Sequence, residues 1–244
     1  MIEVEGIILT SQDYGDTSKI INVITKEYGI IGIIAKGCKN IKSSLRSVTD
    51  RLTYGNFNIF YKKDKLSVLS SVDVIDNFKN IKKDISKISY ATYLLELTGQ
   101  VIKHSSKLDV YDLLINGLIK INEGYDPLVI MNIIELKYLD YLGVMPIIDS
   151  CSKCGSIYAI KTLSSDAGGY ICSKCYKDEK MVSDKTIKLI RMYYYVDISK
   201  ITKLEVSKEA KQEINNFLNE YYERYTGLYL KSKNFINNLN KLTV

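Results

Sequence analysis

At 244 residues the chain is long enough to bury a sizeable core, as one large domain or two to three small ones. No apolar run approaches the roughly 20 residues of a membrane span, and Met1-Ile2-Glu3-Val4-Glu5 shows neither the basic nor the apolar part of an export signal, so a soluble cytoplasmic protein is expected. The net charge of +6 permits a polyanionic partner, but a Trp-free chain rich in Lys, Ile, Asn and Tyr is also what an AT-rich genome produces, so the position of the charges is more informative than their sum.

Residues 1 to about 76 read as strand. Ile2, Val4, Gly6 and Ile8, then Ile21, Val23 and Thr25, suggest short alternating stretches, and Tyr28-Gly29 supplies a turn before the next. A second hairpin runs through Phe57-Asn58-Ile59-Phe60-Tyr61, turns at Lys62-Lys63-Asp64-Lys65 and returns as Leu66-Ser67-Val68-Leu69. About five strands in so short a stretch point to a small closed barrel, for which the five-stranded OB-fold is the natural candidate. Gly29, Gly32 and Gly37 read as turn glycines among these strands.

This territory is also where cations gather. Lys36, Lys39, Lys42, Arg46, Arg51, Lys62, Lys63 and Lys65 fall within thirty residues, opposed by Asp50 and Asp64 alone. The segment from Ala35 to Arg46 adds backbone and hydroxyl donors, a mixture that can grip phosphates without reading bases. Tyr54, Phe57 and Tyr61 could supply stacking faces, although core packing is the better reading for each of them. The bland alternative for the whole stretch is a solvated charged face.

From Ile81 the period changes from two to about 3.6. Ile81, Ile85, Ile88, Thr92 and Leu95 share one helical face, and Val110, Leu113, Leu114, Gly117, Leu118 and Ile121 define another helix stopped by Gly124. The next helix is fully punctuated: Asp126 as N-cap, Pro127 in the first turn, Gly143 as a left-handed stop and Pro146 beyond it. Ser183 or Asp184 starts a further helix through Tyr195. Ser207 caps another, with Ala210, Ile214, Phe217, Leu218, Tyr221 and Tyr225 on one face and an end at Gly227. These helices should pack together, since neither half offers enough apolar faces alone. The Asn-rich stretch from Asn234 to Asn240 reads as a polar helix face or a frayed tail.

Between the helices lie Cys151-Ser-Lys-Cys154 and Cys172-Ser-Lys-Cys175, seventeen residues apart. That is the spacing of a four-thiolate zinc site, in which two intervening residues let a tight turn aim both sulfurs at one ion. Gly155 and Gly168-Gly169 supply the turn residues. Disulfides, iron or an empty site are the alternatives. Four thiolates leave no coordination position for water, so a Zn2+ ion here, one per chain, is structural.

Little supports catalysis. His104, the one histidine, sits beside Ser105-Ser106 without a triad pattern and reads as a surface or capping residue. There is no GxxxxGK[ST] loop, and no pair of carboxylates forms a recognisable motif. Cys38 reads as a bystander thiol. The chain is not expected to be an enzyme.

Glu5-Gly6-Ile7-Ile8-Leu9 through Tyr14-Gly15-Asp16, Ile24-Thr25-Lys26-Glu27-Tyr28-Gly29, Ala35-Lys36-Gly37 followed by Lys42-Ser43-Ser44-Leu45, Gly168-Gly169 before the second cysteine pair, and Leu230-Lys231-Ser232 occur in an order that resembles the RecO family of bacterial DNA repair and recombination mediators. The resemblance covers nearly the whole chain. It implies an α+β protein: an N-terminal OB-fold barrel (1–78) that binds DNA, an all-helical domain (79–148 and 179–244), and an inserted four-cysteine zinc-finger-like lobe (149–178). It further implies binding of single- and double-stranded DNA, annealing of complementary strands, and association with RecR and with the acidic C-terminal tail of single-strand-binding protein. With RecR, such a protein helps RecA displace single-strand-binding protein; a cytoplasmic, nucleoid-associated location follows. Lys36, Lys39 and Arg46 are the best-placed DNA contacts, with Lys42 beside them, and Cys151, Cys154, Cys172 and Cys175 are the metal ligands. Two rivals remain: a zinc-ribbon scaffold that binds only proteins and, more weakly, a zinc-dependent nuclease.

Overall fold

A computed structural model describes residues 1–104, 109–233 and 236. Ser105-Ser106 and the stretch from Asn234 to Asn240, Ile236 apart, lie outside the described residues. Two compact units emerge, Met1–Leu118 and Ile119–Val244. That division follows where the chain clusters in space, whereas a division after residue 78 follows the change of hydrophobic period.

The first unit contains five strands, β1 (Ile2–Tyr14), β2 (Ser18–Thr25), β3 (Gly29–Ala35), β4 (Tyr54–Phe60) and β5 (Ser67–Asp76), closed into a barrel in the order β1-β2-β3-β5-β4. This is an OB-like barrel. The expected alternation is what builds it: Val4, Ile8, Ile21, Val23, Ile31, Ile33, Phe57, Ile59 and Leu69 are buried together with Ala35 and Cys38. Phe57 and Ile59 are fully enclosed and Tyr54 is 9% exposed, so two of the three aromatics considered for stacking are core residues. Cys38, at 1% exposure, is a core thiol.

β1 serves two neighbours, pairing with β4 through Ile2–Ile7 and with β2 from Gly6 onward, and an irregularity between Ile8 and Thr10 bends it around the barrel. Gly6 and Gly55 face each other across β1 and β4. A Cβ on Gly6 would lie 2.6 Å from Val23 and one on Gly55 2.5 Å from the Asp73 carbonyl, so both positions demand the close backbone approach that glycine allows. Gly32 departs from the turn reading. It lies within β3, with the Leu66 side chain folded over it.

Helix α1 (Lys79–Lys82) is short, and α2 (Ile85–His104) begins after a break at which the Asp84 carboxylate accepts from the Ser86 and Lys87 amides. This corrects the single face expected over Ile81–Leu95. Ile81 belongs to α1, Ile85 is 68% exposed, and α2 buries Tyr90, Ala91, Tyr93, Leu94, Leu95, Leu97 and Val101. A helix buried around much of its circumference has no single apolar stripe to read. His104 is exposed at its end. Helix α3 (Asp109–Glu123) follows; its Tyr111 hydroxyl, like that of Tyr54, donates to Glu5.

In the second unit α4 (Pro127–Tyr141) starts as its sequence specifies. The Asp126 carboxylate accepts from the Leu128 and Val129 amides, and Gly143 is left-handed just beyond the end. Ser183 caps α5 (Asp184–Tyr195) and Ser207 caps α6 (Lys208–Tyr225). The two helices after the insert pack on the one before it, where the Tyr222 hydroxyl donates to the Glu135 carbonyl, 2.8 Å away. Ala210, Ile214, Phe217, Leu218 and Tyr221 are buried as expected, while Tyr225 stands at the rim with its hydroxyl on Ser165. The insert is a three-stranded sheet of β6 (Ile147–Cys151), β7 (Ile160–Ser164) and β8 (Gly169–Cys172), in the order β6-β8-β7. No helix among the described residues is long and apolar enough to cross a membrane.

Candidate metal centre and basic rim

The two cysteine pairs are built alike. In the first, the Gly155 amide donates to the Cys151 carbonyl at 2.8 Å; in the second, the Tyr176 amide donates to the Cys172 carbonyl at 3.0 Å. Each knuckle is one tight turn with two sulfurs on the same side. β6 and β8 carry Cys151 and Cys172 at their ends and bring the knuckles together, which requires Gly169: a Cβ there would lie 2.1 Å from the Ile147 carbonyl oxygen.

The four sulfurs all lie within 4.8 Å of one another, and those of Cys154 and Cys172 are 3.6 Å apart. A tetrahedron with metal–sulfur distances of about 2.3 Å has edges of about 3.8 Å, so the arrangement fits one ion. All four cysteines are free thiols, and none is paired as a disulfide.

The electrostatics of the four thiols suit a shared cation. Burial works against ionising Cys151, but amide donors from Cys172, Cys154 and Lys153 outweigh it and bring the thiol down to about 6. Cys175 is pushed the other way, to about 12, by hydrogen bonding to the Cys154 sulfur and then by burial. Four thiolates this close repel one another, and a divalent cation is what would let them ionise together. Outside the cluster, Lys153 holds Glu179 at 2.5 Å and lowers its carboxyl to about 2. The Lys161 ammonium sits 3.8 Å over the Tyr176 ring. Ser165 hydroxyl to Glu220, 2.7 Å, fastens the lobe to α6.

The basic segment lies between β3 and β4. It is a run of consecutive turns in which Asn40, Ser43, Arg46 and Val48 amides donate to the carbonyls three residues earlier. Cys38 joins the barrel core and Leu45 packs against it, while Thr49 is buried with its hydroxyl donating to the Leu45 carbonyl. The Lys39 amide bonds the Thr17 carbonyl and the Gly37 amide the Ser18 hydroxyl, so the run is tied to the β1–β2 end of the barrel. Ala35, Cys38 and Leu45 anchor it, whereas Ile41 is 86% exposed and Lys36, Lys42 and Arg46 are exposed as well. Those three make no ion pair among the described residues, whereas Lys39 is held 2.7 Å from Asp13, whose carboxyl it lowers. Nearby Lys19 pairs with Asp50 at 2.8 Å, and the Arg51 side chain donates to the Leu9 carbonyl. The four candidate contacts thus lie on one tethered segment, with one of them partly neutralised. The Lys39–Asp13 pairing had no signal in the sequence, since 26 residues separate the partners and only barrel closure joins them.

Comparison with known proteins agrees with this architecture. A family model described as "Recombination protein O N terminal" matches residues 1–78, and one described as "Recombination protein O C terminal" matches residues 82–234. The chain is 34% identical to the DNA repair protein RecO of Listeria monocytogenes serotype 4b (strain F2365), with 99% of this chain and 96% of the relative covered. It is 33% identical to the protein of that name from Bacillus pumilus (strain SAFR-032), over 99% and 96%, and 32% identical to that of Bacillus subtilis (strain 168), over 98% and 94%.

Proposed function

The chain belongs to the RecO family of DNA repair proteins, and from that premise we propose that it binds single- and double-stranded DNA without regard to sequence and anneals complementary strands. In this reading the barrel, residues 1–78, holds the phosphate backbone through Lys36, Lys39, Lys42 and Arg46. Residues 79–148 and 179–244 form the helical part, which meets RecR and the acidic tail of single-strand-binding protein, and residues 149–178 are an insert folded around one Zn2+. With RecR the protein helps RecA onto strands coated by single-strand-binding protein, and it catalyses no reaction of its own.

The observation that carries the reading is the tethered basic segment, whose Lys36, Lys42 and Arg46 are exposed and free of ion pairs among the described residues. Annealing requires that two polyanions approach while their bases stay free to pair. Cations on a rigid rim meet that need, because they neutralise phosphates without touching base edges. Counterion release then supplies affinity, with a log–log salt slope of about −0.7 per phosphate neutralised on single strands. A four-thiolate metal site has no open position for water and supports architecture, not hydrolysis.

The test is a titration of fluorescent oligonucleotides across salt with the Lys36→Glu, Lys39→Glu double variant. Weaker binding and a shallower slope with an unchanged thermal midpoint are expected. An unaltered affinity and slope would remove the segment from the interface, and indifference to DNA even at low salt would favour a scaffold that binds proteins alone.

A further inference from the structure

We propose that Tyr28 and Tyr61, with Lys62, Lys63 and Lys65 beside them, form a base-stacking platform for single-stranded DNA. The inference rests on the reading of the barrel as a DNA-binding unit and assigns it a second contact of different chemistry.

Tyr28 lies in the β2–β3 turn and Tyr61 directly after β4, and their ring centroids are 5.4 Å apart at a tilt of 41°. They are 45% and 40% exposed. Neither hydroxyl makes a hydrogen bond among the described residues. In that the pair differs from four more enclosed tyrosines whose hydroxyls are anchored: Tyr54 and Tyr111 on Glu5, Tyr125 on the Ile201 carbonyl, Tyr222 on the Glu135 carbonyl.

Both turns are held in place. The Thr25 hydroxyl donates to the Gly29 carbonyl at 2.8 Å and accepts from the Tyr28 amide at 3.1 Å, and the Lys62 amide donates to the buried Ser67 hydroxyl at 3.1 Å. The rings are therefore presented at little further entropic cost. Leu66, 41% exposed, extends the apolar surface. Lys62, Lys63 and Lys65 are exposed without ion pairs among the described residues, against Asp64 in their own turn and Glu27 in the other; Lys26 is engaged by Asp112 at 3.2 Å.

An electropositive turn next to unanchored aromatic faces is the combination that holds an unpaired strand: phosphates take the cations and bases take the rings, whatever their identity. The segment from Lys36 to Arg46 has no aromatic residue, and Tyr54 and Phe57 are in the core, so neither can supply that stacking. In annealing, such a platform would hold bases unpaired until a complement arrives.

The test compares the full chain's affinity for a thymidine oligonucleotide, an abasic strand of equal length and a duplex. The wild-type chain should prefer the thymidine strand to the abasic one. Tyr28→Ala with Tyr61→Ala should weaken thymidine-strand binding about tenfold, leaving abasic-strand affinity, duplex affinity and salt slope unchanged; Tyr28→Phe with Tyr61→Phe should keep the preference. Lys62→Glu with Lys63→Glu should weaken both strands and flatten the slope. Equal wild-type affinity for the two strands, or a preference that survives in the alanine variant, overturns the platform. If Lys36→Glu with Lys39→Glu changes nothing while the preference persists, the segment after β3 is excluded and the platform stands. Failure to bind either strand at low salt overturns both.

Discussion

The barrel and the four-cysteine lobe are both small β structures, and they are stabilised in opposite ways. The barrel closes on itself, and every strand contributes inward-facing side chains to a continuous core that includes Phe57, Ile59, Ile21 and Ile33, all fully enclosed. The lobe has three strands of four or five residues, and two of its most buried positions are the ligands Cys151 and Cys172. So few apolar groups offset little of the chain entropy of ordering the lobe, and a metal held by the four cysteines would supply what so small a core does not. A closed sheet is self-sufficient; a short open one borrows stability from an ion or from its neighbours.

If the four cysteines hold Zn2+ as proposed, removing it breaks the contrast most severely. Chelation, or Cys172→Ser, is expected to collapse the lobe almost completely, since structural zinc contributes on the order of 10 kcal/mol of folding free energy in small metal domains. Hydrogen exchange should rise around Cys151–Cys175 while the amides of Ile21 and Ile33 stay protected; equal protection in metal-free protein would contradict the picture. Metal affinity should also fall in acid. Each thiol that is still protonated must shed its proton to bind the metal, and below about 6 Cys151 joins them.

The next largest effect belongs to the barrel. Phe57→Ala should cost about 3–5 kcal/mol through lost burial and the cavity left behind. Zinc stoichiometry, measured by a metallochromic assay, should be unchanged, and a loss of metal in this variant would mean that the two regions fold as one.

The smallest effect is within the helical part, where the start of α5 meets α6. Glu213 on α6 accepts from the Ser183 amide and hydroxyl and from the Thr186 hydroxyl. Burial opposes its ionisation, but those donors prevail and its carboxyl is lowered from the usual 4.5. A depressed carboxyl contributes stability that is complete above its unfolded value and is lost as pH falls through the folded one. Glu213→Gln should therefore lower the thermal midpoint by a few degrees near neutrality, and the gap should begin to narrow below about pH 4.5 and close as pH falls through the lower folded value. A gap independent of pH would assign the effect to packing.

Much of this was readable because it depends on near neighbours in the chain. The cap at Asp126, the stop at Gly143, the starts at Ser183 and Ser207 and the two knuckles are each set within a few residues, where the chemistry of a single side chain decides the backbone. Alternation marked parts of β1 and β2 and the hairpin at Phe57–Leu69, whereas β3 is apolar throughout and β5 runs on to Asp76, well beyond Leu69. What misled was burial from several sides. The break at Asp84 divided an apparent helical face in two, and α2 buries residues around most of its girth, so periodicity lost its meaning there. Gly32 looked like punctuation and is a strand residue beneath Leu66.

The order of residues alone determined the capped helices, much of the strand content of the barrel and the two cysteine knuckles of the lobe, because each is fixed by local steric and hydrogen-bonding rules. Tertiary structure decided which cations stay unpaired, by setting Lys39 against Asp13 and Lys19 against Asp50 while Lys36, Lys42 and Arg46 face solvent. It also joined Tyr28 to Tyr61 and sank Tyr54 and Phe57 into the core. Charge pairing and exposure depend on distances between residues remote in the chain, and those distances exist only once the sheet has closed.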